Sequence, residues 1–132
     1  MSKTAGYSKR PRLDKLGIKE GARVAVLRLQ DADFEKELAK RTADVALRRA
    51  KRDTDVIVYH AKRISDLEKL PALRRQIKPN GAIWVLWFKG RPELKESHVR
   101  HAALDNGLVD VKVAAFSDAL SALKLVIPVA KR

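Results

Sequence analysis

Residues 82–88, Ala82-Ile83-Trp84-Val85-Leu86-Trp87-Phe88, form the most apolar run in the chain. The run is far shorter than the roughly 20 residues a membrane span needs, and it is rich in aromatic and β-branched side chains, so it reads as a strand. With no polar face, it belongs at the centre of a sheet covered on both sides. Its two tryptophans, three residues apart, then point to opposite faces. Thr54-Asp55-Val56-Ile57-Val58-Tyr59-His60 is also apolar on both faces. Two such strands require helices on both sides, which already selects an α/β architecture.

The remaining elements fit that frame. Ala22 to Leu29 is a β-branched run preceded by Gly17 and Gly21, the first strand. Asp31 and Asp33 supply a cap and first-turn charge for a short amphipathic helix over Phe34–Lys40. Val45-Ala46-Leu47 is a weak second strand. Ser65 with Glu68 reads as a capping box for a helix carrying Leu67, Leu70, Leu73 and Ile77. Pro71 either kinks that helix or begins its main part. Pro79-Asn80-Gly81 is turn chemistry ahead of the central strand. A third helix lies between Pro92 and Asn106, with Asn106-Gly107 as its left-handed stop. Leu108–Phe116 is a fifth strand. The connection Ser117–Ser121 is too short for a helical crossover, so a sixth strand over Leu123–Ala130 runs antiparallel to the fifth. The predicted fold is a three-layer, Rossmann-like sheet of about six strands, mostly parallel, closing on an antiparallel hairpin.

At 132 residues the chain is the size of one domain. The predicted division is a basic, partly mobile arm over residues 1–15 and one α/β domain over 16–132. There is no cysteine, which removes disulfides, thiolate nucleophiles and Cys-based zinc sites together. Neither a signal-peptide stretch nor a membrane span is visible, and the expectation is a cytoplasmic protein without a membrane partner. Lys and Arg number 29 against 16 Asp and Glu, a net charge of +13. That imbalance attracts anionic partners, with nucleic acid and small anionic ligands as the two candidate classes.

Ile18–Leu27, followed by Asp55–Val58 and then Leu73, Ile77 and Lys78–Trp84, resembles the first strand, fourth strand, helix and fifth strand of class I S-adenosylmethionine-dependent methyltransferases. More closely, Gly6-Tyr7-Ser8, Lys15–Gly21, the Trp84 strand, Gly107–Val113 and Leu123–Ile127 resemble a family of small bacterial single-domain proteins of unknown function. That family tends to carry Trp-Ser-Gly where this chain has Leu120-Ser121-Ala122. The methyltransferase resemblance implies a cofactor loop after the first strand and a ribose-binding carboxylate after the second. Here the first strand exits through Leu27-Arg28-Leu29-Gln30-Asp31-Ala32-Asp33, without glycine, and the second through Arg48-Arg49, which can only donate. The chain therefore reads as a degenerate version of that fold, with no cofactor predicted and a lean away from catalysis.

Open α/β sheets bind ligands beyond the carboxyl ends of their strands. Those ends carry Arg28 and Gln30, then Arg48, Arg49, Lys51 and Arg52, then His60, Lys62 and Arg63, then Lys89 and Arg91. Such a rim suits a phosphate or carboxylate, and the helix N-termini on the same edge would add to it. The plainer reading is a set of solvated loop residues. In the arm, Tyr7, Lys9, Arg10 and Arg12 form a stacking and charge-bearing set suited to nucleic acid. Trp84, Trp87 and Phe88 are read as core.

No catalytic residue and no metal site are predicted. His98 and His101 share a helix face but lack a third ligand, and no serine has nucleophile-elbow glycines. Acidic Asp31, Asp33 and Glu35 suit a first helical turn. The expected function is a non-catalytic module binding an anionic partner at the basic rim. The alternatives are a divergent nucleotide- or S-adenosylmethionine-binding enzyme and a protein-interaction or structural subunit whose sixth or fifth strand, at the sheet edge, pairs with a second copy or another protein.

Overall fold

The computed structural model describes residues 11–132. Tyr7, Lys9 and Arg10 lie outside the described residues. In chain order the elements are α1 (Arg12–Lys15), β1 (Val24–Leu27), α2 (Ala32–Arg41), β2 (Val45–Ala46) and β3 (Thr54–His60). A 3₁₀ turn (Ile64–Lys69) leads into α3 (Leu70–Gln76), followed by β4 (Ile77–Phe88), α4 (Glu96–Asp105), β5 (Val109–Ala115) and β6 (Leu120–Val126). The strands form one six-stranded sheet in the order β2-β1-β3-β4-β6-β5. β2, β1, β3 and β4 are parallel neighbours, and β6 runs antiparallel to both β4 and β5. This is the three-layer, mostly parallel sheet with a C-terminal antiparallel hairpin that the sequence predicts.

The two-faced apolar strands are covered as their patterning demands. On one face, Leu13, Leu16, Phe34 and Leu38 pack against Val26, Val58, Trp84 and Leu86. On the other, Leu70, Leu73, Val99 and Ala103 pack against Ile57, Ile83, Val85 and Trp87. Trp84 and Trp87 thus sit in opposite layers. Buried Trp84 Nε1 donates to Leu16 O at 2.9 Å, tying the segment before β1 to the centre of the sheet. No helix among the described residues is long and apolar enough to cross a membrane.

Several local expectations are corrected by tertiary context. Arg12–Lys15, expected as the end of the arm, is a short helix with Leu13 buried. Arg12 is no arm residue in this structure. Its guanidinium donates to Glu37 Oε1 and Oε2 at 3.2 and 2.7 Å and to Phe116 O at 3.1 Å, and lies over the rings of Phe34 and Phe116. The Ser65 capping box is replaced by Asp66, whose Oδ2 accepts the backbone N–H groups of Lys62 and Arg63 at 2.8 and 3.2 Å. Both bonds fall on one ionised oxygen, and a charged acceptor holds backbone donors more strongly than a neutral serine hydroxyl would. Pro71 begins the main helix instead of kinking a longer one, since it occupies the first turn of α3. Residues 77–81, expected as helix end and turn, are extended. Ile77 pairs with Thr54 and Ala82 with Val56, the register slipping between them. An added Cβ on Gly81 would meet the carbonyls of Thr54 and Asp55 at 3.0 Å, which is why glycine stands at that irregularity.

Of the two hairpin strands, either of which was a candidate edge, the fifth takes that place. β6 was a candidate edge strand spanning 123–130. It covers Leu120–Val126, and it lies inside the sheet because Leu123 and Leu125 are buried and need neighbours on both sides. β5 is the edge, and it carries the devices that suit an edge: Lys112 and a bulge between Asp110 and Lys112.

Candidate anion-binding cleft

Beyond the carboxyl ends of β1, β3 and β4 the chain leaves an open cleft of about 810 Å³. Its lining includes Arg28, Gln30, Arg48, His60, Lys62 and Phe88, with Glu35 the one carboxylate and Leu29, Leu47 and Leu120 the apolar contribution. The sheet's topology creates it, because the β1–α2 and β3–α3 connections leave the strand tops on opposite sides.

Arg28 opens the cleft. It follows the last residue of β1 with φ of 62°, a left-handed conformation that glycine usually takes and that costs a side-chain-bearing residue roughly 1–2 kcal/mol. Its Nη1 lies 3.5 Å from Asp66 Oδ1. Asp66 is buried, which opposes its ionisation. The two backbone N–H bonds and the Arg28 and Arg63 charges outweigh that, so its pKa falls below the ordinary carboxylate range. One buried carboxylate therefore holds Arg28 at the cleft and fixes the backbone of Lys62. Tyr59 stands behind, its hydroxyl donating to Asp66 O at 2.7 Å.

His60, the last residue of β3, is only 4% exposed, and its ring meets Phe88 edge-on at 4.8 Å between centroids. Nε2 is buried and has no hydrogen-bond partner among the described residues. An unpaired buried nitrogen costs about 1–3 kcal/mol. Burial first, then the Lys62 ammonium and more weakly Arg28, push the imidazole below its ordinary pKa against the pull of Asp66. The ring is neutral at physiological pH. Phe88 itself is half-buried, and the Arg91 guanidinium stacks 4.1 Å above its centroid.

The structure thus brings together Arg28, Arg48, His60 and Lys62 in one cleft, with Arg91 beside it on Phe88. Arg49, Arg63 and Lys89 are exposed nearby and do not line it. Arg52 and Lys51 belong to the opposite end of the sheet. β2 and β3 are both parallel to β1, so the connection 47–53 must return along the full strand length, and it buries Ala50 on the way. Arg52 O consequently accepts from Arg23 Nη1 at 2.8 Å, below the start of β1, and Lys51 lies 3.8 Å from Asp44, which precedes β2. Helix N-termini add less than expected, since Asp31 Oδ1 already accepts the Phe34 N–H of α2. His98 has a structural task as well, its Nδ1 accepting the Lys95 N–H at the start of α4. Sequence reasoning placed Phe88 in the core and missed Asp66. The signals were there: Phe88 ends its strand just before Lys89-Gly90-Arg91, and Asp66 stands three residues after Arg63, the spacing of a side chain that caps back onto the backbone.

No family model matches the sequence, nor does any curated protein. Solved structures do. A precorrin-6y C5,15-methyltransferase from Geobacter metallireducens aligns over 88% of this chain and 85% of its own, with TM-score 0.65 and 13% identity. A SAM-dependent methyltransferase from Aquifex aeolicus aligns over 87% of both chains at TM-score 0.60 and 16% identity. The magnesium protoporphyrin IX methyltransferase of Synechocystis aligns over 87% of this chain and 74% of its own at TM-score 0.58 and 12% identity. The fold is methyltransferase-like.

At such identities the likeness concerns architecture alone, and a methyltransferase-like fold is compatible with a divergent S-adenosylmethionine-binding enzyme. Two strand-end positions differ from what that cofactor would ask of the fold. Where backbone must approach it after β1, Arg28 stands with its side chain drawn to Asp66. Where the ribose hydroxyls need an acceptor after β2, the chain offers Leu47 and Arg48, neither of which accepts through its side chain.

Proposed function

We propose that this chain is a non-catalytic, methyltransferase-like module that binds an anionic ligand in the strand-end cleft through Arg28, Arg48 and Lys62. One observation carries the reading: the positions at which the fold would meet a cofactor's loop and ribose hold guanidinium groups, which reverses the local field from hydroxyl-accepting to anion-attracting. Asp66 supports it by ordering Arg28 and the Lys62 backbone before any ligand arrives. The apolar side chains of Leu29 and Leu120 in the lining strengthen the attraction.

Arg48 and Arg49 provide an internal control, because both are exposed and equal in charge but only Arg48 lines the cleft. Titration with short RNA, short DNA and nucleotides at low salt should show binding that Arg48→Glu weakens at least about tenfold, or about 1.4 kcal/mol. Arg49→Glu should cost clearly less. Equal losses from the two variants would mean diffuse attraction by net charge, without a site in the cleft. For either variant, melting should change little, since exposed substitutions usually stay within about 0.5 kcal/mol.

A further inference from the structure

We propose that the chain has a second ligand site, at the opposite end of the sheet from the strand-end cleft, where Lys124 holds the carboxylate of a small organic acid. The inference starts from charge inside the sheet. In β1, β3, β4 and β6, the strands with a neighbour on each side, the charged side chains are Asp55, Lys78 and Lys124. Asp55 and Lys78 answer each other at 3.0 Å. Lys124 makes no ion pair among the described residues. Its register aggravates this, for it stands directly opposite Lys112 of β5, with Trp84 of β4 on its other side. Directly opposed residues have Cβ atoms about 4.5–5.5 Å apart, and like charges there destabilise the sheet. Edge protection is reason enough for Lys112. Lys124 lies one strand further in and needs another reason.

A cavity of about 320 Å³ adjoins this unpaired ammonium, at the small end of the range for ligand sites. Lys124 lines it, and Nζ lies over Gly17, since a Cβ added there would stand 4.0 Å from it. The bond from Trp84 to Leu16 O holds that turn in place, so the ammonium faces an ordered stretch of backbone. Lys19 adds a second positive charge to the lining, and Asp55 and Glu20 add negative ones. Burial opposes the ionisation of Asp55, but the Arg23 N–H and the Lys78 ammonium outweigh it, and its pKa falls below the ordinary carboxylate range. Two carboxylates in the lining disfavour a dianion such as phosphate and tolerate a single negative charge. Leu16, Val56 and Ala82 form an apolar base suited to a short organic body. A small monocarboxylate meets all of these conditions.

Calorimetry and thermal shift on the full chain test this at low ionic strength and mildly alkaline pH. Acetate, propionate and lactate are the carboxylate probes, inorganic phosphate is the dianion, and chloride is the reference. At least one carboxylate should bind about tenfold more tightly than chloride or phosphate. Lys124→Met should weaken it at least about tenfold. Lys112→Glu sets a carboxylate opposite Lys124, and should raise Tm while weakening the binding to the same degree. The controls Lys69→Met and Lys69→Glu make the same charge changes at an exposed residue that lines neither cavity, and should leave the binding in place. Carboxylates no tighter than chloride, phosphate as tight as the best carboxylate, equal losses from the Lys124 and Lys69 variants, or binding that survives Lys112→Glu would each overturn the inference. Should Lys124→Met fail to fold, the wild-type Gly17 amide resonance decides by NMR. It should shift with the carboxylate and stay in place with chloride, and a resonance unmoved by both counts against the site.

Discussion

Replacing Arg12 by alanine separates a structural clamp from a nucleic-acid-binding arm. The guanidinium makes a forked contact to Glu37, donates to Phe116 O and lies 5.0 and 4.6 Å from the ring centroids of Phe34 and Phe116. Losing it strands a carbonyl beside a buried ring, at about 1–3 kcal/mol. The cation–π contacts contribute about 0.5–1 kcal/mol each. The Glu37 pair, partly exposed on both sides, adds at most about 1 kcal/mol. These terms overlap on one side chain, so the expected loss is about 2–4 kcal/mol. For 132 residues that lowers Tm by about 7–14 °C. Urea unfolding of Arg12→Ala and Arg12→Lys measures it. The lysine variant keeps the charge but lacks the planar fork, and should recover only part of the loss. A change under about 0.5 kcal/mol in Arg12→Ala, joined to weakened RNA binding, would refute the clamp and return Arg12 to an arm.

Two other outcomes follow from buried polar groups. Trp84→Phe removes the donor to Leu16 O and leaves space in a fully buried site. It should cost about 2–4 kcal/mol by urea unfolding, and a loss under about 1 kcal/mol would mean that the carbonyl finds another partner. On acidification the His60 and Asp66 shifts act in the same direction. The folded His60 pKa is lowered, so the unfolded chain takes up its proton first, and stability begins to fall as pH drops below about 6.5. Asp66, lowered as well, contributes stability that is lost at more acid pH, as it protonates. Thermal scans across this range should show the first decline in the wild type and lose it in His60→Phe. A wild-type Tm that stays flat from neutral pH to about pH 5 would contradict a buried neutral imidazole.

The architecture was legible because it depends on patterning that is local in the chain. Residues 54–60 and 82–88 have no polar face, so they are central strands, and Asp31, Pro71 and Gly107 mark helix ends by their own stereochemistry. The cleft was legible in part for the same reason. Strand ends can be read from sequence, so Arg28, His60 and Lys62 could be placed at one edge of the sheet. Arg52 was misplaced because a run of basic residues does not reveal that its chain turns back along the sheet between Arg48 and Thr54. Arg12 was misread because a basic stretch with proline looks like an arm until Glu37, Phe34 and Phe116, distant in sequence, close around it.

The amino-acid sequence by itself determined the layered α/β class, the parallel core, the antiparallel end and the excess of positive charge, all consequences of apolar periodicity, turn chemistry and composition. Only the tertiary structure decided that β6 lies inside β5, that Asp66 holds Arg28, that Arg48 and Arg52 occupy opposite ends of the sheet, and that His60 Nε2 is left without a partner. The reason is physical. Periodicity records how much of a residue is buried, whereas partner choice depends on which distant segments arrive at the same place, and that is set by packing the whole chain at once.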